Sequence, residues 1–304
     1  MRSSSCIPAH RTALPIHTKT SCLTTCSTFS VPSVDGAPVT TPPEVRITHI
    51  GGPTVLIEVG GWRLLTDPTF DAPGQRYRFG FGTGSVKLAG PRVAAQAVLP
   101  IDAVLLTHDH HADNLDTAGR ALLPLANRVI TTASGANRLG GNAVGLTPWA
   151  THALQHEGRP TIHITATPCR HGPPGSHALV GDVIGFSLAW DNQAHGTLWI
   201  SGDTVLFDGV REVADRVTVG TALVHLGGVR FPVTGPLHYT MTASDAVKLC
   251  ALMAPHTFIP VHYESWYHFT QGRLDVERAF AGAPASVRER VRWLPVGEGA
   301  KIHV

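Results

Sequence analysis

The chain has 304 residues, of which 43% are hydrophobic and 15% are charged, and this composition excludes a disordered chain, which needs few hydrophobic residues and a high net charge. Its longest apolar run, Leu249–Pro255, is far shorter than the roughly 20 residues of a membrane-spanning helix. The formal net charge of +2 excludes a protein that binds nucleic acid mainly through many Lys and Arg contacts to phosphates.

Residues 1–43 differ in composition from the rest of the chain. They contain 15 Ser and Thr residues and three basic residues against one acidic residue. No helical or strand periodicity is visible in them, so we expect a disordered leader over residues 1–43 and a single domain over residues 44–304. A spurious upstream extension and an organelle-targeting segment are the alternatives for this leader.

The cysteines give no disulfide framework. Three of the five lie in the leader, and the domain contains only Cys169 and Cys250. We therefore expect a reducing, cytoplasmic location. No membrane span is expected, and the oligomeric state is left open.

From Val45 onward, the pattern predicts short strands first and then strands that alternate with helices. The predicted strands are 45–50, 54–59, 62–66, 102–106, 128–132, 161–167, 184–190, 197–201, 221–226 and 257–261. The predicted helices are 115–125, 242–254 and 273–281. Residues 68–100 are typical of a loop, and the segments 291–295 and 300–304 are expected to close a sheet. One domain with two sheets and flanking helices follows.

Histidine and aspartate residues follow four of these strands. The strand that ends at Leu106 is followed by the run His108-Asp-His-His-Ala-Asp113, and His171, Asp203 and His262 each follow another strand. Imidazole nitrogens and carboxylate oxygens are the usual ligands of Zn, Mn and Fe ions. Four strand ends that each offer such a ligand predict one convergent metal site at one rim of the fold.

These residues, in this order, resemble the metallo-β-lactamase superfamily of metal-dependent hydrolases. The likeness extends over Val45–Val304 and is greatest to the branch of the ascorbate-6-phosphate lactonases and the N-acylphosphatidylethanolamine phospholipases D. The segment His238-Tyr-Thr-Met-Thr is similar to a His-Phe-Thr-Met element of the lactonases. The resemblance implies an α/β fold, the four-layer αββα sandwich, with the site at the mouth between the two sheets.

The resemblance also implies two metal sites. The implied ligands are His108, His110 and His171 for the first ion, and Asp113 and His262 for the second ion, with Asp203 as the bridge. Zn²⁺ is the expected metal, one or two ions per chain, with Mn²⁺ and Fe²⁺ as alternatives.

Three residues are candidates for catalysis. Asp113 and Asp203 would orient the attacking water or accept its proton. His238 would act as a general acid or contact the substrate.

The chain departs from the family pattern His-x-His-x-Asp-His at one point. One additional residue stands between His110 and Asp113, and Asn114 occupies the place of a second-metal histidine. Either His111 replaces that imidazole, or Asn114 contributes weakly beside the remaining ligands of the second ion. The second arrangement is favoured, because the adjacent residues His110 and His111 are poorly placed to bind two different ions. It predicts that the second ion is bound weakly.

The implied function is a metal-dependent hydrolase that uses a metal-bound hydroxide on a small ester, lactone or phosphodiester. A non-catalytic metal-binding sensor and an RNA-processing nuclease are the alternatives. No nucleic-acid partner is expected, because residues 44–304 carry equal numbers of basic and acidic residues. Asp67 is expected to order the metal-binding loops and Asp116 to begin a helix, while Arg76 and Arg78 are candidates to meet an anionic group of the substrate.

Overall fold

The computed structural model describes residues 43–304, apart from the side chain of Leu179. The predicted leader lies outside this range except for Pro43. The leader and the domain boundary at residue 44 therefore stay predictions.

The secondary structure of the described residues alternates short strands with short helices. The strands are β1 (Val45–Gly51), β2 (Thr54–Val59), β3 (Trp62–Thr66), β4 (Arg76–Gly80), β5 (Thr83–Val86), β6 (Ile101–Leu105), β7 (Ala126–Thr132), β8 (Ala143–Leu146), β9 (Thr151–Leu154), β10 (Ile162–Pro168), β11 (Ile184–Ala189), β12 (Thr197–Ile200), β13 (Val219–His225), β14 (Thr257–Val261) and β15 (Gly299–Ile302). The helices are α1 (Thr117–Leu122), α2 (Ala133–Leu139), α3 (His177–Val180), α4 (Asp208–Arg216), α5 (Ala243–Met253), α6 (Arg273–Ala281) and α7 (Ala285–Arg288). None of these helices has the length and apolar character that crossing a membrane requires.

Two sheets contain all but two of these strands. The first sheet has the order β15-β1-β2-β3-β6-β7-β8, and the second has the order β14-β13-β12-β11-β10-β9. The hairpin of β4 and β5 stands apart from both. Strands β12, β13 and β14 are parallel to one another, and so are β3, β6, β7 and β8.

Three apolar clusters separate four layers. One cluster lies between the sheets and includes Ile57 and Phe186. A second joins the outer face of the second sheet to the helices from α4 onward, with Val213 and Leu249 among its members. The third joins the outer face of the first sheet to α1. The predicted four-layer αββα sandwich is therefore confirmed.

The central strands are buried on both faces, which explains why they are apolar almost throughout. Every residue of β13 and of β14 is buried. Strands covered on both faces have near-continuous runs of apolar residues rather than a strict alternation. Their boundaries could be predicted from composition for this reason.

The loop predicted over residues 68–100 contains the hairpin of β4 and β5, so that prediction is wrong in part. Three glycines, at positions 80, 82 and 84, weaken the strand pattern there. Gly80 and Gly82 have φ angles of 90° and 78°, which the tight turn of the hairpin requires and which glycine adopts at little cost. The helix predicted over residues 115–125 is also shorter, because α1 gives way to a 3₁₀ turn over Leu123–Leu125.

Asp116 caps the amino end of α1 and holds two other segments at the same time. Its Oδ1 accepts hydrogen bonds from the backbone N–H groups of Gly119 at 2.8 Å and Phe70 at 2.9 Å. Its Oδ2 accepts from the N–H of Asp71 and from Nζ of the buried Lys87, both at 2.7 Å. Asp116 therefore ties the loop that follows β6 to the chain on either side of the hairpin.

We predict that Asp116→Ala lowers the free energy of unfolding by about 3–5 kcal/mol, because it leaves the ammonium group of Lys87 buried without a partner. Urea denaturation measures the change. Lys87→Met is the matched control and should cost less, since Asp116 keeps its three backbone donors. An equal or smaller loss for Asp116→Ala would contradict this account.

Candidate metal centre

The candidate site lies at one rim of the sandwich, where strands of both sheets end. His108 follows β6 of the first sheet, whereas His171, Asp203 and His262 follow β10, β12 and β14 of the second. The structure brings His108 and His171 into one group of candidate ligands and Asp203 and His262 into another. Asp113 connects the groups, because it lines the same cavity as His171 and its Oδ2 lies 3.7 Å from Nε2 of His262.

His108, His111 and His171 form the first group. Nδ1 of His111 lies 3.3 Å from Nε2 of His108 and 3.1 Å from Nε2 of His171. The other nitrogens of two rings are already engaged, since Nδ1 of His108 is 3.0 Å from Oγ1 of Thr107 and Nδ1 of His171 donates to the carbonyl of Tyr239 at 2.7 Å. Each of these two rings is thus oriented so that Nε2 faces His111.

His110 lies outside this group, although the sequence pointed to it as a ligand of the first ion. Its ring packs against Gly181, where a side chain would overlap it, and Gly181 has a φ of 79°. The preceding Asp109 is fixed by two hydrogen bonds from Arg138, at 2.6 and 3.0 Å. The additional residue of the motif therefore lies before His111, in a bulge that turns His110 away.

The same observation bears on the first of the two arrangements considered for the second site, in which His111 replaces an imidazole at position 114. His111 lies with His108 and His171 and does not replace an imidazole at position 114. Asn114 is fully buried; its Nδ2 is 3.4 Å from Oδ2 of Asp67, and its Oδ1 has no hydrogen-bond partner.

Asp203, His225 and His262 form the second group. Oδ1 of Asp203 lies 2.9 Å from Nδ1 of His225 and 3.6 Å from Nδ1 of His262. The two imidazole rings are stacked, with centroids 5.3 Å apart and planes inclined by 17°. All three side chains are fully buried.

Sequence analysis missed His225, because what marks it is the order of strands in the second sheet. His225 is the last residue of β13, and β13 lies between β12 and β14 in parallel register. Neighbouring parallel strands end at the same edge of a sheet. A histidine at the end of β13 had therefore to lie near the residues that follow β12 and β14.

His268, whose contact with Asp113 was not predicted from the sequence, holds that carboxylate in place. Its Nε2 lies 3.0 Å from Oδ2 of Asp113, and its Nδ1 lies 2.6 Å from Oγ of Ser85. With Nε2 as the donor and Nδ1 as the acceptor, His268 links a carboxylate of the site to strand β5.

Asp67 supports the loop that carries the first group. Its carboxylate accepts hydrogen bonds from the backbone N–H of Thr107 at 2.7 Å and from the Thr107 hydroxyl at 2.9 Å. That hydroxyl in turn contacts His108. Burial raises the pKa of Asp67 well above its usual value, and the charge of Asp203 adds to the increase.

Five buried polar atoms of the site have no hydrogen-bond partner within the described residues. They are Oδ1 of Asp113, Oδ1 of Asn114, Oδ2 of Asp203, Nε2 of His225 and Nε2 of His262. Buried polar atoms are nearly always paired, so a cluster of unpaired ones requires an explanation. A bound cation satisfies carboxylate oxygens and neutral imidazole nitrogens together, and the donor set fits a metal.

The protonation state of His108 and His111 suits metal binding. Burial lowers the pKa of His108 well below its usual value and lowers that of His111 to about 4, and the neighbouring His171 contributes to both shifts. His108 and His111 are therefore neutral at pH 7, which is the form of imidazole that binds metals.

The second group carries opposite charges. Burial alone would raise the pKa of Asp203, but the charge of His262 and the hydrogen bond from His225 outweigh it and hold that pKa far below its usual range. Burial lowers the pKa of His262, but Asp203 and Asp113 outweigh this effect and raise it to about 9. Protonated His262 thus balances two carboxylates, and a metal ion would displace its proton.

A cavity opens above the site. His111, Asp113, His171 and His268 lie among the residues that line it, whereas His238 does not. His238 is half-buried in the loop before α5, next to Tyr239, which does line the cavity. The structure therefore does not bring His238 to the group of candidate ligands.

The chain matches a known family over most of the domain. Residues 62–263 match the family model described as the beta-lactamase superfamily domain. Among curated relatives, a metal-dependent hydrolase of Carboxydothermus hydrogenoformans is 28% identical over 228 residues, which cover 73% of this chain and 86% of the relative. One from Pelotomaculum thermopropionicum is 26% identical over 267 residues, which cover 85% of this chain and 100% of the relative.

Solved structures share the fold. The isothiocyanate hydrolase from Delia radicum gut bacteria has a TM-score of 0.70 at 20% identity, covering 85% of this chain and 99% of that chain. A metallo hydrolase from the archaeon Ignicoccus hospitalis has a TM-score of 0.61 at 20% identity, covering 86% and 99%. The likeness to the lactonase and phospholipase branch stays a prediction. The chain belongs to the beta-lactamase superfamily domain family, and the prediction of a hydrolase with the metallo-β-lactamase fold is confirmed.

Proposed function

We propose that this protein is a two-metal hydrolase of small-molecule substrates. The observation that carries the proposal is the set of buried, unpaired carboxylate and imidazole atoms beneath one cavity. The names of the curated relatives, which are metal-dependent hydrolases, support the same function.

In this proposal His108, His111 and His171 hold the first ion. Three imidazole nitrogens form a donor set typical of Zn²⁺ in catalytic sites, where the remaining position is left for water or substrate. The assignment replaces His110, which the motif suggested, with His111.

The second ion is held by residues from both sheets. The proposed ligands are Asp113, Asp203, His225 and His262. Asp203 is the proposed bridge, because its Oδ1 lies 2.9 Å from Nδ1 of His225 in the second group and its negative charge partly offsets the lowering of the pKa of His108 and His111 in the first. The larger share of carboxylate oxygen suits Mn²⁺ or Fe²⁺ as well as Zn²⁺ at this site.

His225 supplies the imidazole that position 114 lacks. Nε2 of His225 is unpaired and lies 3.9 Å from Oδ2 of Asp67, the same oxygen that lies 3.4 Å from Nδ2 of Asn114. An imidazole from the second sheet thus enters the space beside Asn114. With this donor the second site is complete, and the weak site expected from the motif alone does not follow.

Bound metal ions lower the pKa of water and polarise the carbonyl or phosphoryl oxygen of a substrate. The carboxylates of Asp113 and Asp203 are ionised, since partners hold the pKa of each below its usual range against the effect of burial. Such weak bases are suited to orient a water molecule rather than to accept its proton. His268 fixes the orientation of Asp113, and Tyr239 fixes that of His171.

We predict that removal of metal by a chelator abolishes turnover of 4-nitrophenyl acetate and lowers the melting temperature. Zn²⁺ at about 100 times its Kd should stabilise the fold by about 2.7 kcal/mol, or raise Tm by about 5–10 °C. The release of 4-nitrophenol and a thermal melt measure the two effects, and elemental analysis shows that the metal has been removed. Metal uptake without turnover of any ester, lactone or phosphodiester would favour the non-catalytic sensor instead.

We predict that His111→Ala removes one ion per chain and lowers kcat/KM by more than the roughly 10–100-fold that outer groups of a metal site typically contribute. His110→Ala is the matched control, because the imidazole of His110 lies outside the ligand group. It should keep its metal content and its activity. Loss of one ion in His110→Ala, with both ions kept in His111→Ala, would identify His110 as the ligand.

We predict that His225→Asn weakens binding of the second ion, although the amide of Asn can keep the hydrogen bond that Nδ1 makes to Asp203. Adding Asn114→His to this variant should restore the second ion, because the imidazole then comes from the other sheet. The absorption spectrum and stoichiometry of Co²⁺ at buffered metal concentrations measure the outcome. Two ions bound by His225→Asn as tightly as by the unmodified protein would reduce His225 to a support of Asp203.

A further inference from the structure

The cavity above the candidate ligands has a polar floor and apolar walls. The floor contains His111, Asp113 and His171 together with His268. The remaining lining residues are mostly aromatic or aliphatic: Phe79, Phe81, Val180, Val229, Phe231 and Tyr239, with Thr83 and Thr234 beside them.

Among residues 43–304, no lysine or arginine lines this cavity. Arg76 and Arg78, considered from the sequence as partners of an anionic group, are exposed on β4, whereas the alternate residues Tyr77 and Phe79 face the protein. Arg170 lies in a separate depression, with its guanidinium 4.7 Å from the centroid of the Phe207 ring. A phosphate or carboxylate that lies against these walls, away from the candidate metal ligands, would therefore be buried without a cationic side chain, which is unfavourable.

The aromatic residues are packed against the site itself. Phe79 lies with its ring centroid 5.5 Å from that of His111 and 5.3 Å from that of His268. Phe231 stacks on His268 at 5.3 Å with planes inclined by 8°, and it contacts Tyr239 at 5.9 Å. These contacts hold the wall in place before a ligand arrives, so little ordering is needed on binding.

The entrance to the cavity is apolar as well. Phe81, at the turn of the hairpin, is 75% exposed, and Val233, on the opposite loop, is 63% exposed. Phe81 lines the cavity, and Val233 lies close to the same turn, since a Cβ atom at Gly82 would contact Val233 at 3.9 Å. An apolar group would thus meet apolar surface from the entrance to the floor.

We infer that the substrate is an uncharged ester or lactone whose aromatic or bulky aliphatic group packs against Phe79, Phe231 and Tyr239. This inference rests on the proposed hydrolase function and narrows it. Hydrolysis adds one water across the bond between the acyl carbon and its oxygen, and it yields a carboxylic acid and an alcohol. Phosphorylated lactones, whose phosphate would lie away from the proposed metal ions, are excluded as substrates of this site.

The test compares 4-nitrophenyl esters of acetic, phenylacetic and succinic acid with bis(4-nitrophenyl) phosphate, using the full chain loaded with Zn²⁺. The kcat/KM for the phenylacetate should exceed that for the acetate by about 10-fold or more, the scale of a hydrophobic contact in a specificity pocket. The kcat/KM for the succinate ester, whose carboxylate would lie against the apolar wall, should fall below that for the acetate, and the kcat/KM for the phosphodiester, which is not an acyl ester, should fall below that for the phenylacetate. Faster turnover of either anionic substrate than of the phenylacetate would overturn the inference and leave the hydrolase proposal intact.

Phe231→Ala should reduce the preference for phenylacetate over acetate while the zinc content stays unchanged. Tyr267→Ala is the matched control, because Tyr267 is an aromatic residue that is 73% exposed and does not line the cavity. The preference of Tyr267→Ala for phenylacetate over acetate should equal that of the unmodified protein. An unchanged preference in Phe231→Ala would overturn the assigned wall.

A binding measurement separates this inference from the proposed function. Calorimetry with phenylacetamide, acetamide and succinamic acid requires no turnover. Tighter binding of phenylacetamide than of the other two supports the inference even if every ester fails to react, in which case the hydrolase proposal alone would fall. Equal binding of phenylacetamide and acetamide, or tighter binding of succinamic acid, would contradict the inference.

Discussion

The parallel register of β12, β13 and β14 is the constraint on which the site depends. Ile200, Leu223 and Ile259 lie at the same level across these strands. The polar residues that follow them therefore leave the sheet at one edge and must share one volume. Because that volume is shut off from water by two sheets, the carboxylates and imidazoles in it need partners of opposite charge or a cation. The fold creates this requirement before any substrate is considered.

The convergence at the rim could be predicted from sequence because strands such as β12 and β14 are buried almost throughout and have clear ends. His171, Asp203 and His262 each stand within three residues of the end of a strand. His225 was missed for the same reason, since it lies inside a run that is buried throughout and resembles a core position. Only the order of strands in the sheet distinguishes it, and the sequence does not contain that order in a local pattern.

The additional residue in the loop after β6 could not be placed from the motif. Two registers were compatible with it, one with His110 and one with His111 beside His108. What decides between them is distant in sequence: Arg138 on α2 holds Asp109, and Gly181 leaves room for the displaced ring. A single added residue is absorbed as a bulge where neighbouring groups can pair with it, and neither partner is visible from the loop itself.

The wall of the cavity and the ligands at its floor form one connected structure. Ser85, on strand β5 of the hairpin, contacts His268, and His268 contacts Asp113. Phe79, on the facing strand β4, rests on both His268 and His111. Each end of the hairpin is anchored by its own hydrogen bond: Tyr77 donates to Asp71 at 2.5 Å, and Lys87 donates to Asp116.

Selection of the substrate and orientation of the ligands therefore share the same supports. A rearrangement of the hairpin that admitted a charged substrate would also release the imidazole that holds Asp113. This coupling accounts for the position of Asp116, whose carboxylate joins the end of the metal-binding loop to the base of the hairpin rather than binding a metal. The apolar wall is in this sense part of the metal centre, since the same hydrogen bonds fix both.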